Sequence, residues 1–203
     1  MWLSAQQTSH IDTMNPGTDT LEQSEISPSH GDDVDETVRA DLLCVYQEVM
    51  WLACRPNTTA SAARAWYTHV RAGRLSRRIR RFTGKVSATA AAVETVPLRL
   101  EHFKRIQTTL TQLVRRHVET NQHDSEEFIR VVLDCEQVHI VTLGENYDAM
   151  KAKGDYGNAG IVLLDWSTLA PIRQRSLWKQ MLVGRVSNAI EFAPASVTTA
   201  QLS

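Results

Sequence analysis

Glu101 and His102 stand side by side in "RLEHFKRI". An imidazole can take up a proton near neutral pH, and a carboxylate beside it can orient the ring or help hold a metal. Neighbours on a helix point about 100° apart, so such a pair meets more naturally at a strand or at a helix start. The competing reading is an exposed charged pair in the first turn of a helix. Upstream lies a block of cations, Arg71, Arg74, Arg77, Arg78, Arg80, Arg81 and Lys85, within "RAGRLSRRIRRFTGK". Guanidinium forks match phosphate oxygens, and Trp66, Tyr67 and Phe82 offer rings on which bases could stack. Between residues 49 and 93 there are nine cations and no acid, whereas residues 1–41 carry nine acids against Arg39 alone. Residues 119–148 are acidic again, with eight carboxylates against Arg130. Eight of the nine cations are arginine, which favours a phosphate-contacting surface. The alternative is a solvated helix face neutralised from within the molecule, by the acidic N-terminal tail or by the 119–148 segment.

A second group of polar residues surrounds "VHIVTLGEN" (138–146). His139 alternates with Val138 and Ile140, so on a strand it faces away from them, either as a hydrogen-bonded histidine or at the mouth of a site. Asn146, Asp148 and Asp155 follow the strand's carboxyl end, where ligands collect in α/β units. His117 ends a helix and His123 follows it, so solvent exposure or the helix dipole accounts for both. No H-x-x-x-H or H-x-H spacing points to zinc. The phosphate-loop patterns and the G-x-S-x-G elbow are absent. Cys44, Cys54 and Cys135 form no C-x-x-C pair and read as reduced, small, buried side chains.

These residues need elements to hold them. The chain has 203 residues, 42% hydrophobic and 22% charged, the composition of a folded domain with enough core to need no staple. Residues 1–34, polar and broken by Pro and Gly, read as a disordered acidic tail. Helical spacing runs from Val38 to Leu52, then through Trp66, Tyr67 and Val70, and most clearly from Leu100 to Val118. "FTGKVS" reads as a turn around Gly84, and Asp124 with Glu127 forms a capping-box pattern. "VHIVT" reads as a strand, Thr142 and Glu145 as a reciprocal cap, and "GIVLLDW" as a second strand parallel to the first. The expected fold is α+β and mostly helical, with a helical N-terminal half and a small C-terminal β-α-β unit. One globular domain spans 35–185, its part 35–120 helical and basic and its part 121–185 α/β, followed by a frayed tail at 186–203. No secretory leader or membrane span is legible, which points to the cytoplasm.

The order of Glu-His, long helix, apolar strand and T-x-x-E-N over residues 80–165 resembles bacterial and phage HNH-endonuclease-like proteins. The resemblance implies a metal-dependent nuclease in which His102 is the general base, Asn146 orients it, and Glu101 or Asp148 ligates a divalent cation, magnesium or manganese. No histidine follows His139, so that family's downstream metal histidine has no counterpart. Two functions follow as expectations: a DNA- or RNA-associated protein that cleaves its target in this way, or a nucleic-acid-binding or protein-interaction module without chemistry.

Overall fold

The computed structural model describes residues 35–194; the expected acidic tail at 1–34 lies outside them. Helix α1 (Glu36–Ala53) starts at Asp35, whose carboxylate accepts the Thr37 amide at 2.8 Å. Its Val38, Leu42, Val45 and Val49 recur every three or four residues and form one buried stripe, the face a helix needs in order to pack. Helix α2 (Ala60–Trp66) is capped by Thr59 and continues through a π turn (Tyr67–Arg71) into α3 (Ala72–Ile79). Along this run Ala63, Tyr67, Leu75 and Ile79 are buried. Positions spaced by four drift about 40° per step around a 3.6-residue helix, and the wider turn takes up part of that drift. Helices α5 (Ile106–Thr120) and α6 (Ser125–Cys135) complete this half, α6 being capped by Asp124 as its spacing predicts. All five helices close on one hydrophobic core.

A four-stranded sheet forms the second core. Its strands are β1 (Arg81–Ser87), β2 (Leu98–His102), β3 (Gln137–Thr142) and β4 (Leu163–Asp165), in the order β2-β3-β1-β4. β1 runs parallel to β3, whereas β2 is antiparallel to β3 and β4 antiparallel to β1. The short helix α4 (Ala88–Ala92) follows β1, and α7 (Leu143–Lys151) follows β3. A 3-10 turn (Trp166–Thr168), α8 (Pro171–Leu177) and a π turn (Trp178–Leu182) then pack Leu177, Trp178 and Leu182 against Phe82, Val86, Val138 and Ile140. The protein is therefore mostly helical α+β with a small mixed sheet, two of whose strands, β1 and β2, come from the part of the chain expected to be helical. Among the described residues no helix is long and apolar enough to cross a membrane.

Four expectations change, the first being that residues 100–102, read as the start of the long helix to Val118, belong to β2, with α5 beginning only at Ile106. "FTGKVS" is a strand rather than a turn, its register broken between Phe82 and Val86 around Gly84, at φ +77°. The two strands read as a parallel pair, β3 and β4, are not neighbours, because β1 lies between them. Residues 186–194 are not frayed: Val186 and Asn188 are buried, and a 3-10 turn (Ala189–Phe192) brings Phe192 onto Phe82 and Trp166. The Asn188 amide accepts the Phe82 N–H at 2.9 Å and donates to the Phe82 carbonyl at 3.0 Å, so one side chain supplies the ladder bonds a neighbouring strand would otherwise make.

Candidate functional site

The cationic block lies on the π turn, α3 and β1, and most of it is matched by carboxylates. Arg71 holds Glu48 through two hydrogen bonds of 2.6 and 2.9 Å. Arg78 pairs with Asp41 at 2.5 Å, Arg81 with Glu191 at 2.9 Å and Lys85 with Asp165 at 2.7 Å. Arg80 lies 3.5 Å from Glu136. Arg74 and Arg77 are exposed on α3 and have no carboxylate partner among the described residues. The acids come mainly from α1 and the C-terminal region; of the 119–148 segment only Glu136 takes part. Beside α3, Asp35, Arg78, Arg81, Asn188 and Glu191 line a cleft of about 280 Å³.

The aromatic residues divide differently from expectation. Tyr67 and Phe82 belong to the two cores and offer no stacking face, their burial having been masked in the sequence by the arginines around them. Trp66 is 40% exposed and Trp51, on α1, is 59% exposed. The Arg55 guanidinium lies 3.9 Å over the Trp51 ring, and the Trp66 indole N–H donates to Glu48 at 2.9 Å. Trp66, Val70, Arg74 and Arg77, spaced by four, four and three, are all exposed on the same helical run.

His102 and Asn146 are not brought together. His102 ends β2 opposite Val138, whereas Leu98, at the far end of β2, pairs with Thr142, just before α7. Asn146 stands on α7, which returns along the sheet so that Arg105 donates to the Ala149 and Met150 carbonyls at 3.2 and 2.7 Å; its amide lies toward the Met150 sulfur, and no hydrogen bond among the described residues joins it to His102. Asp148 is exposed and pairs with Lys151 at 3.3 Å. Glu101 lies on the opposite face of the sheet from His102, across from His139; burial raises its pKa and the nearby Arg105 partly offsets this. Among the described residues no three His, Cys, Asp or Glu side chains form a set that could hold a metal ion.

His102 does have partners. Its Nδ1–H donates to the Cys135 carbonyl at 2.8 Å, and Glu136 Oε2 lies 4.0 Å from the same nitrogen. Glu136 is 4% exposed, and Tyr67, whose buried hydroxyl is pushed well above its usual pKa by burial and then by the Glu136 charge, is also inside. Arg80 Nε and the Tyr67 hydroxyl both lie against the buried Glu136 carboxylate, the arginine at 3.5 Å. No spacing pattern could have revealed this group, because its members come from the π turn, the end of α3, β2 and the residue before β3. The sequence does place a lone acid, Glu136, directly before the apolar strand. No protein-family model matches the chain, and no curated protein or solved structure matches it either.

The other face of the sheet carries a second polar cluster. His139 is 5% exposed, and its Nδ1 lies 2.5 Å from the Thr83 hydroxyl. The Phe103 and Tyr156 rings flank it edge-on. Burial, then the Lys85 charge, lowers its pKa to about 4, so it is a neutral histidine of the interior. Burial raises the Tyr156 hydroxyl's pKa, with the Glu101 and Glu145 charges adding to the shift. Glu145 closes the expected capping box with Thr142 and also accepts the Ser87 hydroxyl at 2.6 Å; the hydrogen bonds that hold its charge outweigh its burial and lower its pKa. Of the two readings of His117, solvent exposure fails: in the last turn of α5 it is buried between the Tyr46 hydroxyl at 3.2 Å and Glu127 at 3.1 Å. Cys44 and Cys54 are exposed rather than buried, whereas the buried Cys135 thiol is pushed up to about 11, chiefly by burial, which leaves it protonated and unreactive.

Proposed function

We propose that this protein binds single-stranded nucleic acid through the exposed side of α1, α2 and α3. The observation that carries the reading is the pair Arg74 and Arg77, exposed and unmatched among the described residues on the same helical run as exposed Trp66. Two guanidinium groups to grip phosphates beside an indole on which a base can stack form the minimal single-strand platform. Charge segregation supports it. All 22 Lys and Arg residues lie within 35–194, against 17 of the 23 acids, so that stretch carries a net charge of +5. The Arg78–Asp41 pair is exposed and the Arg71–Glu48 pair partly so. Exposed pairs of this kind contribute roughly 0–1 kcal/mol each, so an incoming phosphate can replace the carboxylate at little cost.

The test is binding of a labelled, unstructured oligonucleotide at low salt. Arg74→Glu with Arg77→Glu should weaken binding at least tenfold while leaving the circular-dichroism spectrum unchanged. Lys179→Glu, a charge reversal on the distant π turn after α8, should change it less than twofold. Equal effects of the two would show a diffuse field rather than a site. No effect of either would favour a protein partner on the apolar Trp51, Trp66 and Val70 surface.

A further inference from the structure

Trp51 stands near the C-terminal end of α1, and the grip of α3 on phosphates makes no use of it. A single exposed apolar side chain is ordinary on a protein surface, but Trp51 has a definite setting. It follows Glu48 by three residues on α1, so the two side chains are neighbours on one face of the helix. Glu48 in turn accepts the indole N–H of Trp66 at 2.9 Å. The two exposed indoles therefore lie to either side of one carboxylate, whose charge is met by the two-pronged contact with Arg71. Both rings are also held in place. The Arg55 guanidinium lies 3.9 Å over the Trp51 ring, a cation-π contact that still leaves the residue 59% exposed. Glu48 fixes the edge of Trp66. A ring already fixed in one orientation loses little freedom when something stacks on it.

We infer that Trp51 is a second stacking position of the binding face, so that the strand is held by two bases as well as by its phosphates. This rests on the nucleic-acid reading above and narrows its ligand. The ligand is a stretch of DNA or RNA with at least two unpaired bases, one on Trp51 and one on Trp66, and with phosphates on Arg74 and Arg77. Charge argues for this occupant over an apolar protein surface. Trp51, Arg55, Trp66, Arg74 and Arg77 all belong to the stretch 49–93, which contains no acid. Among the described residues those three arginines have no carboxylate partner, and guanidinium groups left beside two indoles suit an anion that also carries rings. Every base has a π face, so stacking of this kind tolerates any sequence. In a duplex those faces are covered by neighbouring base pairs. Arg55, committed to the ring, is a positioning residue.

The test compares the full chain on four labelled ligands: an unstructured DNA, RNA of the same sequence, the same DNA backbone without bases, and the duplex. Trp51→Ala should weaken binding of both base-bearing single strands roughly fivefold or more. Its salt dependence should match that of the wild type, because no phosphate contact is lost. Trp51→Phe, which keeps an aromatic face, should recover most of the loss. Arg55→Lys, which keeps the charge but not the planar group over the ring, should weaken the base-bearing strands alone. Wild type and Trp51→Ala should bind the baseless strand equally, and likewise the duplex. Unchanged binding of the base-bearing strands by Trp51→Ala overturns the second stacking position and leaves the α3 grip standing. So does an equal loss on the baseless strand, or a loss that Trp51→Phe does not recover. Failure of the wild type to bind any of the four overturns both readings.

Discussion

His139 is a histidine kept neutral by the fold. Its ordinary pKa is near 6.5, and burial with the Lys85 charge takes it down to about 4. The unfolded chain therefore binds a proton that the folded one refuses across that interval. Stability is full above pH 6.5 and falls as the pH drops toward 4, by an amount on the order of 2–3 kcal/mol if this group acts alone. Urea unfolding at pH 7.5 and 5 should show that loss, and His139→Gln should flatten it; an unchanged pH slope in the variant would contradict the assignment. The alternation of "VHIV" shows His139 facing away from its apolar neighbours. That this other face is also covered, by Phe103 and Tyr156, could not be read because neither partner lies near it in sequence. The same limit hid Glu136 from His102, and Tyr46 and Glu127 from His117. Single residues announce their chemistry, but their partners arrive through tertiary packing.

Among the elements, those governed by local rules were legible. Asp124 and Thr142 cap α6 and α7 through side-chain oxygens, and the T-x-x-E box at Thr142 and Glu145 is closed in both directions. β1 was not legible, because glycine at position 84 interrupts the alternation between Phe82 and Val86. Its extended conformation comes from pairing with β3 and β4 on either side and from the Asn188 amide, all remote in sequence. At φ +77° Gly84 occupies backbone space that side chains resist, and an added Cβ would meet the Phe192 ring at 3.2 Å. Gly84→Ala should therefore cost about 1–2 kcal/mol through the left-handed backbone alone, read as a lower denaturation midpoint. A midpoint equal to that of the wild type would mean the break in register is not held by this glycine.

For the molecule as a whole, charge is the property on which the proposed binding rests. The fold class, mostly helical α+β, was readable from periodicity, whereas the two strands contributed by residues 81–102 were not. The surface was only half readable: the arginine block stands out in the sequence, but which guanidinium groups are already matched depends on α1 and the C-terminal turn folding back beside them. Residues 1–34 contain six acids and no Lys or Arg, so their removal changes the net charge from -1 to +5. That change should tighten oligonucleotide binding several-fold at low salt and have little effect at high salt, since the influence of exposed charges is screened. Equal affinities of the full and shortened chains at low salt would show that the tail's charge does not bear on binding.

The most direct measurement is the salt dependence of single-strand affinity. Each phosphate neutralised contributes about -0.7 to the slope of log K against log salt. Arg74 and Arg77 alone would give about -1.4, and Arg71 and Arg78, if they exchange their carboxylates for phosphates, about -2.8 in all. The wild-type chain should fall between these values, and Arg74→Glu with Arg77→Glu should be flatter by about 1.4. A wild-type slope near zero, or the same slope in the double variant, would contradict binding at the α3 face.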